Sequence, residues 1–114
     1  MLARPNRLRL GRDIDRVYRQ GRYGRGEFLA VKMIKRPSGA TRAVVIVGKK
    51  VSKKAVVRNR IRRRLVELLA ADWARISPGC DIVVTVYGDV TAVKTDQLKQ
   101  DLIQALTRAG AIHN

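Results

Sequence analysis

Two unbroken apolar runs, AVVIV at 43–47 and IVVTV at 82–86, stand on either side of a stretch with helical periodicity. Neither run alternates apolar with polar residues, and both are rich in β-branched side chains. Such runs suit strands covered on both faces. Between them, Val57, Ile61, Leu65 and Leu68 fall on one helical stripe, with Leu69 beside it. A strand, a long helix and a second strand in this order predict a βαβ crossover with parallel pairing. The helix is expected to end before SPG at 77–79 and to start near Ser52, a residue type suited to an N-cap.

The remaining elements are read in the same way. Leu10, Ile14, Val17 and Tyr18 predict a short first helix, stopped by Gly21. RYGRGE (22–27) reads as a loop or an irregular edge strand. FLAVKMI (28–34) reads as a strand, and RPSG (36–39) as the turn that hairpins it onto the 43–47 run. Leu98, Leu102, Ala105 and Leu106 predict a final helix capped by Thr95 or Asp96. Residues 1–10, basic and interrupted by Pro5, are expected as a flexible arm, and 111–114 as a tail. A chain of 114 residues supports one core. The expectation is a single domain over 1–114, an α/β two-layer sandwich with a small mixed sheet in the order α-β-β-(β)-α-β-α.

Charge gives the first functional constraint. Lys plus Arg number 25 against 9 Asp plus Glu, a net +16. RNRIRRR (58–64) places five arginines at the start of the core helix. Like charges at i,i+4 cost roughly 0.2–0.5 kcal/mol per pair, so stability does not account for them. At about 100° per residue, Asn59, Arg60, Arg62 and Arg63 point away from the apolar stripe, while Arg58 and Arg64 flank it. Lys53 and Lys54 would sit at the positive end of the helix dipole, a second local cost. Further clusters occur at KRP (35–37), GKK (48–50) and SKK (52–54). Such a face expects a polyanion: nucleic acid first, an anionic membrane surface second. Arg grips phosphate bidentately and Lys acts as a point charge. A hydrophobic content of 46% argues for a folded domain rather than a basic tail.

Other chemistries find little support. The one histidine, His113, stands in the tail, and the nine carboxylates are scattered, so no acid–base pair or two-metal set emerges. Cys80 is the only cysteine, which excludes an internal disulfide and a zinc set and leaves a nucleophile without a histidine partner. GRYGRG (21–26) lacks the strand–turn–helix context of a dinucleotide fingerprint. No apolar stretch has the length of a secretory or membrane-spanning segment, and a soluble, cytoplasmic protein is expected. Trp73 reads as packing. Tyr18 and Phe28 fit either core or base stacking.

KKVSKKAVVRNRIRRRLVEL (49–68) resembles the signature of the bacterial ribonuclease P protein subunit: paired lysines, an Ala, then R-N-R-I and further basic residues. NRLRLGRDIDRVYRQG (6–21) is similar to the family's opening, and RAVVIVGKK (42–50) to the strand before its signature. There Val44 replaces a usual Gly, and Gly48 a usual small Ser or Ala. The resemblance spans residues 6–106. It implies an α/β sandwich whose βαβ crossover is left-handed, against the usual rule. It also implies the small subunit of a ribonucleoprotein that removes the 5′ leader of precursor tRNA. Catalysis would belong to the RNA subunit with Mg²⁺, and the protein alone would bind no cofactor or metal and supply no catalytic residue. One monomer would serve each RNA. Lys49, Lys50, Arg58, Asn59, Arg60, Arg62 and Arg63 fall on the signature, with Lys53 and Lys54 in its basic lead-in, as contacts to the ribonuclease P RNA. Tyr18 and Phe28 take the aromatic positions of a leader-binding cleft between the first helix and the sheet. Lys32 stands where the family often has another aromatic, and phosphate contact would substitute for stacking. A structural ribosomal-RNA binder and a protein nuclease are the rival readings.

Overall fold

The computed structural model describes residues 1–112. Its elements are α1 (Gly11–Gln20), β1 (Arg22–Arg25), β2 (Leu29–Lys35), β3 (Arg42–Val47), α2 (Ala55–Ala71), β4 (Cys80–Val86) and α3 (Thr95–Arg108), with 3₁₀ turns at Arg4–Asn6 and Trp73–Arg75. The order matches the sequence expectation, and RYGRGE contributes a true edge strand.

The pairing differs from the expected hairpin. The sheet runs β1-β2-β4-β3, so β2 and β3 never meet. β4 lies between them, antiparallel to β2 and parallel to β3. The physical reason lies in side-chain burial. Every residue of β4 is buried except Thr85, which is half-buried. β2 ends in the exposed Lys35, and β3 alternates buried with half-buried positions. β4, the most fully buried of the four strands, takes the place between them. The predicted parallel β3–α2–β4 crossover is present.

Strand alternation divides the core between the two faces. Val31, Met33, Val45, Val47, Ile82, Val84 and Val86 turn to the face that α2 and α3 cover, where they meet Ile61, Leu65, Leu69, Leu98, Leu102 and Leu106. Val83 turns to the other face and meets Val17 and Leu8, with Ile14, Ile34, Val44 and Ile46 around them. On α2 the deepest residues are Ile61, Leu65 and Leu69, whereas Val57 and Leu68 sit half-buried at the margin. α1 and Leu8 of the amino-terminal segment cover the second face and leave part of it open.

Three local expectations are corrected. Residues 1–8 dock instead of forming a loose arm. Leu2 and Leu8 are buried, Arg7 bridges to Ala43, and the Leu8 N–H donates to the Ala43 carbonyl at 3.0 Å. The expected tail returns to the core. Gly110 takes φ +80°, and the Ala111 N–H reaches back to the Leu106 carbonyl at 2.9 Å. This Schellman-type turn buries Ala111 and Ile112, and Ile112 bridges to Ile76. His113, also assigned to the tail, lies outside the described residues. Finally, Lys54 and Lys94 occupy the N-cap positions of α2 and α3, with no side-chain cap from Ser52, Thr95 or Asp96. Ser52 Oγ accepts the Lys54 N–H at 3.2 Å, outside the helix.

Gly24 explains part of GRYGRG. A Cβ there would collide with the α3 backbone at Ala105 and Ala109, so the glycine lets β1 lie directly on α3. Asp101 of α3 then accepts hydrogen bonds from the N–H groups of Glu27, Phe28 and Leu29, fixing the bend between β1 and β2. No helix among the described residues is long and apolar enough to cross a membrane.

Candidate nucleic-acid interface

The first surface is the outer face of α2 with its approach loop. Burial of Ile61, Leu65 and Leu69 fixes the helix rotation, so Asn59, Arg60 and Arg63 are exposed, as are Lys49, Lys50, Lys53 and Lys54. None of these basic side chains makes an ion pair with a described residue. The first turn of α2 has no acidic residue and no side-chain cap, so its free N–H groups add to the positive field.

Three arginines are partly used inside the fold. Arg58 Nη1 donates to the Ser52 carbonyl at 2.8 Å, tying the loop to the helix. Arg64 donates to the carbonyls of Val90 and Val93 at 3.0 and 2.8 Å, anchoring the segment after β4. Arg62 donates to Asn59 Oδ1, so the two expected ligands orient each other. This leaves Arg60 and Arg63 with the four lysines as the uncommitted cations of this surface.

The second surface is the open part of the sheet face beside α1. Tyr18 is brought there as expected. Its hydroxyl lies 3.2 Å from Thr85 Oγ1. Lys32 is there too: its Nζ donates to the Tyr18 carbonyl oxygen at 2.7 Å. Phe28 is not brought to them. It packs with the α2/α3 side of the core and borders a recess with Gln97, Gln100 and Gln104. The bend held by Asp101 breaks the strand alternation that would have turned Phe28 toward Tyr18.

Sequence reasoning missed three residues of this surface. Tyr23 pairs across from Lys32 and so shares its face. Tyr87 follows Thr85 by two positions along β4 and its exit. Arg25 places its guanidinium 4.6 Å from the Tyr87 ring centroid. Tyr18, Tyr23 and Tyr87 are 37%, 48% and 50% exposed, so much of each residue stays open to a ligand. Burial, and then the neighbouring Tyr23, push the Tyr87 hydroxyl above its usual range, which keeps it neutral. The available signal was parity with Thr85, the polar residue in the 82–86 run. Aromatic faces beside Arg and Lys suit the stacking of single-stranded bases.

A charge network holds α1 at the margin of this surface. Asp81, buried on β4, receives two hydrogen bonds from Arg42, at 2.8 and 2.7 Å. Arg36 Nε stands 3.0 Å from the same carboxylate. Arg42 Nη1 also lies 3.5 Å from Asp13 on α1. Hydrogen bonding to Asp81 raises the Arg42 pKa, against the opposing effect of burial. Among the described residues, no three His, Cys, Asp or Glu side chains come together as a metal site.

Known proteins share this fold and resemble this sequence. The family model described as Ribonuclease P matches residues 2–110. A ribonuclease P protein component of Picosynechococcus sp. is 34% identical over 112 residues, spanning 98% of this chain and 97% of that one. The ribonuclease P protein of Thermotoga maritima superposes with a TM-score of 0.79 at 27% identity, covering 90% of this chain and 96% of that chain. The Staphylococcus aureus protein shares the fold, with a TM-score of 0.81 at 24% identity over 95% of this chain and 98% of that one. With the signature helix folded as its residues require, the chain belongs to the ribonuclease P protein family, a protein subunit of the endoribonuclease that processes tRNA.

Proposed function

We propose that this chain docks on the ribonuclease P RNA through the α2 face and holds the 5′ leader of precursor tRNA on the Tyr18 surface. The observation that carries the reading is Arg60 and Arg63, standing exposed without an acidic partner on a helix whose other side is core, with Lys49, Lys50, Lys53 and Lys54 exposed in the loop that leads into it. A polyanion relieves that self-repulsion. Arg58, Asn59 and Arg62 shape the same face through their internal hydrogen bonds and present their remaining donors to it. On the second surface, Tyr18 offers a ring for stacking and Lys32 a charge for phosphate, with Tyr23, Tyr87 and Arg25 extending the strip.

Bond cleavage belongs to the RNA subunit with its Mg²⁺ in this reading. The carboxylates of Asp81 and Asp101 are engaged in structural hydrogen bonds. The protein screens charge between two RNAs, acts in the cytoplasm, and serves as one copy per RNA. The test is reconstitution with purified protein, ribonuclease P RNA and precursor tRNA at low Mg²⁺. Stimulated 5′ cleavage is expected. No stimulation would sink the reading, and cleavage by the protein alone would point to a protein nuclease.

A further inference from the structure

A groove of about 260 Å³ runs along the outer edge of β3, between the amino-terminal segment and α2. Leu8, Val44 and Val66 supply apolar walls, and Arg7, Arg9 and Arg62 stand at its rim. β3 is the sheet edge, and Ala43 turns its carbonyl outward to the Leu8 N–H. Val45, two residues further along the strand, lines the same edge and is itself nearly covered, at 3% exposure. Arg7 is held in place, its Nε donating to the Leu2 carbonyl at 3.0 Å. Asn59 orients Arg62.

Apolar walls and three guanidinium groups match one ligand chemistry well. A flat base fills the apolar space, and its flanking phosphates meet arginine. An apolar peptide would leave the cations unanswered, and a bare phosphate would leave the walls unfilled. Arg62 belongs both to this rim and to the α2 face, so the two surfaces are continuous. We propose that the groove takes one unstacked nucleobase of the RNA subunit, with adjoining phosphates on Arg9 and Arg62. This rests on the reading of α2 as the RNA dock.

The test measures affinity for the RNA subunit across a salt series, using the full chain, Val66→Trp and Arg60→Ala. Val66→Trp fills the groove without touching a charge. It should weaken binding about tenfold, the effect of removing one stacked base, with an unchanged salt slope. Arg60→Ala should lower the slope. A folded Val66→Trp that binds like the wild type overturns the groove proposal and leaves the α2 reading intact; an unaltered Arg60→Ala overturns that reading instead.

A second measurement needs no folded variant. Adenosine 5′-monophosphate should shift the backbone amides of Leu8, Val44 and Val45 in the wild-type chain, and ribose 5-phosphate should not. Equal shifts from both ligands, or none, would count against a base site. Groove amides that move with the concentration of the chain itself would assign the groove to a second copy and overturn the proposal.

Discussion

The Lys32 ammonium donates to the Tyr18 carbonyl oxygen at 2.7 Å and stands 5.6 Å from the centroid of the same residue's ring. One lysine on β2 thus closes the carboxyl-terminal turn of α1, where carbonyls lack helical partners and the dipole is negative. The cation fixes the ring beside which it stands. An ammonium has three donors, so this bond still leaves capacity for a phosphate.

Lys32→Met keeps the side-chain length and removes the charge. It should lower stability by about 0.5–1 kcal/mol, read as an earlier urea midpoint at unchanged slope. It should also weaken leader-bearing precursor more than leaderless tRNA. Unchanged stability would mean that the bond to Tyr18 does not hold α1 in solution.

Tyr87→Ala and Tyr18→Ala test the aromatic strip. Each should reduce affinity for leader-bearing precursor by roughly fivefold or more, with little effect on leaderless tRNA. Equal losses on the two substrates would assign these rings to packing.

Arg60 and Arg63 make no internal ion pair among the described residues. Replacing both with Ala should flatten the salt dependence of RNA binding, by about 0.9 or less in slope for each phosphate no longer neutralised. Thermal stability should hold or rise slightly, because like charges are removed. An unchanged slope would discount them as phosphate ligands.

Asp81→Asn leaves Arg36 and Arg42 facing each other without their shared carboxylate. Both arginine side chains are about one-fifth to one-quarter exposed, at 21% and 24%, so water recovers part of the loss. A destabilisation of roughly 1–3 kcal/mol is expected from denaturant unfolding. A near-neutral result would show that the network adds little beyond the apolar contacts around it.

Burial holds the Cys80 thiol above its ordinary value of 9.0. Above that pH the unfolded chain ionises first and binds fewer protons than the folded one, so stability falls as pH rises. Cys80→Ala should shrink this decline between about pH 8 and 10 in urea titrations. A decline of the same size in the variant would mean that other groups cause it.

The α2 arginine face was legible because a helix fixes its register locally: once Ile61 and Leu65 face the core, Arg60 and Arg63 cannot. Strand identities were legible for a similar reason, since β4 needs cover on both faces. Strand neighbours were not. The short turn after β2 suggested a hairpin, but β4, the most fully buried strand, comes between β2 and β3. Tyr23 and Arg25 escaped notice because RYGR has no apolar period. Its strand forms through the contact between Gly24 and α3, which lie far apart in sequence. Phe28 misled because Asp101, seventy-three residues away, sets the bend at its backbone. The docked amino-terminal segment depended likewise on a distant edge at Ala43.

The central position of β4 carries a consequence for biosynthesis. β2 and β3 share no bond, so β3 waits for its only strand partner, and β2 for its second, on the strand that the ribosome makes last among the four. Until residues 80–86 emerge, the growing chain can close no more of the sheet than the β1–β2 pair, while the arginine-rich segment is already outside. High sequence separation slows such closure and keeps apolar strands open meanwhile. The nascent chain therefore spends its vulnerable interval as a strong polycation, soluble by repulsion before it is soluble by folding.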